Sequence, residues 1–167
     1  MPSDRAVCVC FDGDRVLVMR RVKNGQQYTV LPGGGVEAGE NPAGAVLREL
    51  AEETGLAGTI IRDLGSIRHP DRLAHYFLVR VVPGPLQVGG PESARQSADN
   101  QYSLAWVAVG SLDDEPLVPE GIREIIREAA AGDSRNCPAS ASTDGSPSAN
   151  LEGAAFPCSS IGRASDC

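Results

Sequence analysis

A chain of 167 residues with a formal net charge of −7 at pH 7 is long enough for one domain with a sizeable core. The acidic balance excludes a broad nucleic-acid interface, which needs a basic footprint, and it suits a metal site that in turn receives an anionic ligand. No apolar run approaches the ~18 residues needed to span a membrane, and the N-terminus lacks the basic-then-apolar pattern of a secretory leader, so the expected setting is cytoplasmic with no membrane partner.

In chain order, Ala6–Phe11 (AVCVCF) and Arg15–Arg21 (RVLVMRR) are short apolar runs separated by Asp12-Gly13-Asp14, a strong hairpin signal. Cys8 and Cys10 alternate within the first run as small buried hydrophobes; a Cys-x-Cys metal or redox pair would want a second cluster nearby. Lys23–Gln27 is a polar turn, and Tyr28–Leu31 is a third strand leading into Pro32. Gly33-Gly34-Gly35 is expected to forbid regular structure and to let the backbone approach something closely.

The next segment is a helix over Pro42–Thr54. Asn41 is the N-cap, Pro42 takes the first helical position and Gly55 reads as the C-terminal stop. At about 100° per residue and with Glu49 as origin, Glu53 falls near 40° and Glu52 near 300°, while Ala43, Leu47, Leu50 and Thr54 fall near 100–160°. One face is thus expected to pack on a core and the other to gather three carboxylates. Like charges at these spacings cost roughly 0.2–0.5 kcal/mol per pair, and acids are disfavoured at a helix C-terminus. A hard cation such as Mg²⁺ or Mn²⁺ reverses both penalties. Taken alone, the helix leaves a metal site and a solvated acidic face equally open.

Strands follow at about Gly58–Asp63, Gly65–His69, Ala74–Val82 and Leu104–Val109. Between the last two, Pro83–Gln101 is a Pro-, Gly- and Ser-rich loop of about 20 residues, a length that favours a functional or mobile segment. A second helix is expected over Pro119–Ala131, with Ile122, Ile125, Ile126 and Ala129 on one face. Strands interspersed with two helices predict an α/β sandwich, a mixed sheet covered on both faces. Residues 133–167 turn to Ser, Ala, Gly, Pro and Asn and carry Cys137, Cys158 and Cys167. Such a stretch cannot offset its ordering entropy, so it reads as a disordered tail beyond a domain at 1–132. Leu151–Cys167 also reads as read-through foreign to the domain.

Set out with its spacings, the helix region is Gly34, five residues, Glu40, seven residues, Arg48-Glu49-Leu50, one residue, Glu52-Glu53, one residue, Gly55-Leu56. This resembles the Nudix box at every defined position, and the flanking element order agrees with that family over residues 5–131. The resemblance implies an α/β/α sandwich and a hydrolase, dependent on Mg²⁺ or Mn²⁺, that cleaves a nucleoside diphosphate linked to another moiety. Such a linkage is anionic and resists attack, so its catalyst must neutralise phosphate oxygens and supply an activated water. By the same resemblance Glu49, Glu52 and Glu53 are the metal-binding set, with Glu53 the principal ligand and the Gly33 carbonyl a further one. Either Glu49 or Glu52 is available as the base. Gly34 supports the turn. Arg48, four residues before Glu52 and beside Glu49, is placed to orient carboxylates. Glu40 pairs with Arg48, reaches the metals through water, or simply favours the coming helix N-terminus.

Outside the box the signals thin. Alternation puts Arg20 and Arg21 on opposite sheet faces, so one can meet a substrate phosphate while the other meets solvent. Glu92, in the long loop, stands where family members sometimes bring in an extra carboxylate. Tyr28, Tyr76, Phe77 and Trp106 are candidates for stacking on a base, although strand aromatics are usually core; His69 and His75 read as structural or surface residues. Pro70 and Tyr76 lie near positions that mark ADP-ribose-cleaving and diadenosine-polyphosphate-cleaving members, without matching either closely. The expected partner is a small nucleotide-like diphosphate rather than RNA, and the family allows a homodimer. Two rival readings are a Nudix-like binding or regulatory module without turnover and an interaction domain with a solvated acidic helix.

Overall fold

The computed structural model describes residues 3–94, 96, 97 and 99–133, the side chains of 91 and 92 apart. All of the expected tail except Asp133 therefore falls outside the described residues. Among the described residues eight strands run as β1 (Arg5–Val9), β2 (Phe11–Asp12), β3 (Arg15–Lys23), β4 (Gln26–Val30), β5 (Gly33–Gly35), β6 (Gly58–Arg68), β7 (Leu73–Val81) and β8 (Asn100–Ala108). Helix α1 (Pro42–Thr54) follows β5, the short α2 (Gly90–Ala94) precedes β8, and a 3₁₀ turn (Val109–Asp114) leads to α3 (Ile122–Gly132).

The strands form two sheets. One is mixed, in the order β5-β1-β7-β6, with β1 parallel to β7 and the other neighbours antiparallel. In the other, antiparallel sheet, β3 is the hub, paired with β2 and β4 and, along its whole length, with β8. Alternation along β1 sends Val7 and Val9 into a core shared with Ile122, Ile126 and Ala129 of α3. It sends Ala6, Cys8 and Cys10 into a second core under Ala45, Val46 and Leu50 of α1. The result is the expected α/β/α layering, with Cys8 and Cys10 as buried free thiols.

The α1 boundaries follow from local chemistry. Asn41 Oδ1 accepts the Gly44 N–H at 2.7 Å, Pro42 starts the helix, and Gly55 at φ 73° ends it, returning its N–H to the Ala51 carbonyl at 3.0 Å. Where longer-range pairing decides, the structure differs from the sequence expectation. Gly33–Gly35 is a strand, with Gly33, Gly34 and Gly35 opposite Val7, Ala6 and Arg5. Its glycines serve close approach: a Cβ on Gly33, where φ is 147°, would sit 2.2 Å from the Ala6 carbonyl oxygen. The two strands expected around Gly65 are one, β6, bent by register shifts at Ile60/Arg62 and Asp63/Gly65. There glycine marks a bulge rather than a break.

The long loop is shorter than expected, because it contains α2 and β8 already begins at Asn100. Helix α3 starts at Ile122, since Gly121 at φ 89° turns the chain just before it. The two faces of α1 also differ from expectation: Ala45, Val46, Leu50, Glu53 and Thr54 are buried, so Glu53 belongs to the packed side. Among the described residues no helix is long and apolar enough to cross a membrane.

Ile126 is fully buried between α3 and the sheets. Ile126→Ala should cost about 2–5 kcal/mol of stability, read as a lower denaturation midpoint with unchanged slope. A midpoint matching wild type would show that α3 is not clamped to the core as described.

Candidate functional site

The carboxylate-bearing side of α1 lies over β5, and the two enclose a cavity of about 360 Å³ lined by Gly33–Gly35, Glu37, Arg48, Glu49, Glu52 and Glu53. Each acid is held differently. Glu53 is 5% exposed, and its Oε2 accepts the Gly33 N–H at 2.7 Å, which offsets part of the cost of burying a carboxylate. Its negative charge reaches the core behind it: the Cys8 thiol is pushed up by its hydrogen bond with Cys10, by burial and, least, by Glu53.

Glu49 stands directly over Gly34, where a Cβ would fall 2.3 Å from its carboxyl carbon. Arg48 Nη1 donates to Glu49 at 2.8 Å and to the more exposed Glu52 at 3.2 Å. Its Nε and Nη2 grip both oxygens of Glu40 at 3.0 Å, and Nη2 also donates to the Gly35 carbonyl at 3.0 Å. The hydrogen bond with Glu40 is the largest of the influences that raise the Arg48 guanidinium above its ordinary value. Arg48 in turn holds the Glu40 carboxyl below the carboxylate range, helped by the Glu37 N–H. One guanidinium thus ties the helix, the loop before it and the glycine strand together.

The loop after β7 closes the far end of this helix. Gln87 N–H donates to the Thr54 carbonyl at 3.0 Å and Gly89 N–H to the Glu53 carbonyl at 3.2 Å, satisfying acceptors that the helix terminus leaves open. A Cβ on Gly89 would lie 2.3 Å from the Glu52 carbonyl oxygen, so glycine permits the contact. Glu92 sits in α2 beside this junction, but its side chain lies outside the described residues.

The remaining candidates separate. Arg20 points away from the acids and pairs with Glu115, whose carboxylate also accepts the Thr29 hydroxyl at 3.0 Å. Arg21 lines the acid cavity. The Gly33 carbonyl accepts from Arg5 Nη2. Tyr76 and Phe77 are core residues, Trp106 packs on the α1-side core, and Tyr28 remains half-buried at a cavity edge. His75 lies 3.8 Å from Asp4, and His69 lines the same cavity as Tyr28. Sequence reasoning missed Arg5, which lines the acid cavity from the first residue of β1. A charged residue heading an apolar strand gave no signal of its own, because only its pairing with Gly35 brings it to the acids.

The carboxylates of Glu49, Glu52 and Glu53 are hard oxygen donors facing one cavity, a set that fits Mg²⁺ or Mn²⁺. They do not stand ready-made as a ligand cluster. Among the described residues no three His, Cys, Asp or Glu side chains are grouped to hold an ion, since Glu49 and Glu52 turn to Arg48 and Glu53 turns to Gly33.

A family model described as NUDIX domain matches residues 1–129. Among curated proteins, diphosphoinositol polyphosphate phosphohydrolase 2 of Rattus norvegicus is 42% identical over 71 residues, covering 41% of this chain and 39% of the relative. The chain thus spans well under two thirds of the length of such relatives. Among solved structures, a NUDIX hydrolase from Nitrosomonas europaea superposes with a TM-score of 0.64 at 19% identity, covering 79% of this chain and 90% of that one. A MutT NUDIX hydrolase from Burkholderia pseudomallei gives 0.55 at 25% identity, covering 77% and 95%.

The Glu40 carboxyl is depressed in the folded chain, so the stabilisation from its pairing with Arg48 is complete above the ordinary carboxylate pKa and is lost as pH falls through the lower folded value. Arg48→Gln should therefore move the Glu40 titration midpoint upward toward the ordinary value in a carboxyl-detected NMR titration. An unmoved midpoint would detach Glu40 from Arg48.

Proposed function

The chain belongs to the Nudix family, and we propose that it is a pyrophosphohydrolase, dependent on Mg²⁺ or Mn²⁺, that cleaves a nucleoside diphosphate linked to another moiety. The observation that carries this reading is the convergence of Arg48, Glu49, Glu52 and Glu53 with the glycine strand around one cavity. A module that only bound its ligand, or an acidic face that was only solvated, would have no use for two carboxylates held against repulsion by one arginine and a third buried on the Gly33 N–H.

In this reading Glu49, Glu52 and Glu53 hold the divalent ion, with Glu53 the main ligand. When bound, that ion neutralises phosphate oxygens and makes water easier to deprotonate. The chain's own groups do the rest. Arg48 keeps Glu49 and Glu52 at the cavity, and both must turn part of their oxygens from it toward the ion when it binds. Gly33 N–H fixes Glu53. Gly34 has no side chain to keep a phosphate group away from the strand. Water attacks one phosphorus, the bond from that phosphorus to the bridging oxygen breaks, the other phosphate departs with that oxygen and its electron pair, and Glu49 or Glu52 takes the water proton on a carboxylate oxygen. Arg21, at the cavity wall, is positioned to meet a substrate phosphate, whereas Arg20 is engaged by Glu115. A cytoplasmic setting is consistent with two buried free thiols, Cys8 and Cys10.

The reading is tested by a product-release screen, read by chromatography of the phosphorylated fragments, of nucleotides, sugar nucleotides, ADP-ribose, dinucleoside polyphosphates and diphosphoinositol polyphosphates, with and without Mn²⁺. Metal-dependent release is expected, and metal-independent or absent release would overturn it. Glu53→Gln should abolish nearly all turnover with the fold intact; activity within a factor of about two of wild type would remove Glu53 from the metal set. Gly34→Ala separates placement from folding, because the three atoms nearest the added methyl are all at the carboxyl end of the Glu49 side chain. The variant should keep its melting temperature and lose roughly 100-fold in kcat, and full activity would show that the position of Glu49 is irrelevant.

A further inference from the structure

The edge of a sheet presents unpaired N–H and C=O groups that template a further strand, and folded chains guard such edges. Most edges here are guarded. Strand β6, at one rim of the mixed sheet, carries Arg62, Asp63 and Arg68 and two register shifts. At the other rim β5 is only three residues long. Strand β4 is strapped along its outer side by residues 116–118, where Thr29 N–H donates to the Pro116 carbonyl and Val118 N–H to the Thr29 carbonyl, both at 2.9 Å.

Strand β8 has none of these devices. It runs nine residues in unbroken register with β3 and contains no Asp, Glu, Lys or Arg. Among the described residues no strand pairs with its outer side. Which groups face outward follows from the ladder, because residues of an antiparallel pair alternate between exchanging bonds with the residue opposite and pointing away from it. Asn24 N–H donates to the Asp99 carbonyl and Val109 N–H to the Asp14 carbonyl, both at 2.9 Å, so the odd-numbered residues between Asp99 and Val109 face β3. The outward groups of Asn100 are taken by Ser97, at 2.9 and 3.2 Å. The backbone groups of Tyr102, Leu104, Trp106 and Ala108 point outward and meet no strand among the described residues.

We propose that this edge is a homodimer interface, in which β8 pairs antiparallel with β8 of a second copy about a twofold axis at Ala105. This register sets Tyr102 opposite Ala108 of the second copy and Leu104 opposite Trp106 of the second copy, and the symmetry supplies the reciprocal pairs. Every outward N–H and C=O of these residues then has a partner. An axis at Leu104 would instead set Ala108 opposite Asn100, whose groups Ser97 already holds. On the axis, Ala105 occupies a pair outside the hydrogen-bonded set, where Cα atoms approach to about 4.5 Å and a small side chain fits. Leu104 and Trp106, each only partly buried on the α1 side, gain an aliphatic–aromatic contact across the strands. An uncharged strand sets no like charges opposite one another when it pairs with itself. This self-complementarity favours a second copy over an unrelated strand. The proposal is independent of the hydrolase reading.

The test is sedimentation equilibrium of the full chain over a dilution series, joined to amide hydrogen exchange read residue by residue. The mean mass should rise from one chain toward two with concentration, since a single strand pair buries less than a standard stable interface. The amides of Tyr102, Leu104, Trp106 and Ala108 should gain protection over the same range. Ala108→Pro removes an outward donor at a residue whose φ of −60° already suits proline. It should weaken dimerisation at least about tenfold while the dilute chain keeps its melting temperature. Ile61→Lys, on the guarded β6, should leave dimerisation as it is. A chain that stays monomeric at every concentration overturns the proposal, whether those amides exchange freely or are covered by another segment of the same chain. So does a dimer that gives them no protection, or one that Ala108→Pro leaves intact. Should the proline variant fail to fold, the wild-type exchange pattern decides alone: concentration-dependent protection at those amides supports the interface, and protection elsewhere overturns it.

Discussion

The site depends on one guanidinium. Arg48 donates to Glu40, Glu49, Glu52 and the Gly35 carbonyl, so a single side chain joins the loop before α1, two of its acids and the strand beneath it. Without it, like charges one turn apart on a short helix would repel and splay into solvent. Lysine would not substitute, because an ammonium offers one point of charge where arginine offers a planar fork with five donors. The remaining acid, Glu53, needs no arginine because the Gly33 N–H receives it inside the fold.

That arrangement requires a floor without side chains. Strand β5 is three glycines, which let its backbone lie against β1 below and let the Glu49 carboxyl rest on it above. The sheet is in turn held from both faces, by α1 over Ala6, Cys8 and Cys10 and by α3 over Val7 and Val9. Chemistry and stability divide between the two faces of β1. The α3 side is packed hydrocarbon, while the α1 side grades from hydrocarbon at Leu50 through the buried Glu53 to the exposed Glu52 within one turn of helix.

What the sequence made legible was local. The bounds of α1 could be read because Asn41, Pro42 and Gly55 act through bonds to their own neighbours. The carboxylate set could be read because its spacing is written on a single helix. The buried position of Glu53 could not, since helical geometry places it near the boundary and only the Gly33 N–H decides which side it joins. The glycine strand, the continuous β6 and the apposition of Arg21 with Tyr28 and Tyr102 are all consequences of register between distant segments, which composition does not encode. The same holds for Arg5, whose partner lies 28 residues along the chain. The cavity beside Tyr28 and His69, assembled from five separated stretches, was the least legible feature of the fold.

In the proposed function Glu49, Glu52 and Glu53 form a divalent-metal site although Glu49 and Glu52 are turned to Arg48 and Glu53 to the Gly33 N–H. The most direct measurement is an electron paramagnetic resonance titration of free Mn²⁺ with the wild-type chain and with Glu53→Gln. The account predicts loss of the free-ion signal on adding wild type and substantially weaker loss with the variant. Equal loss with both, or none with either, would contradict it.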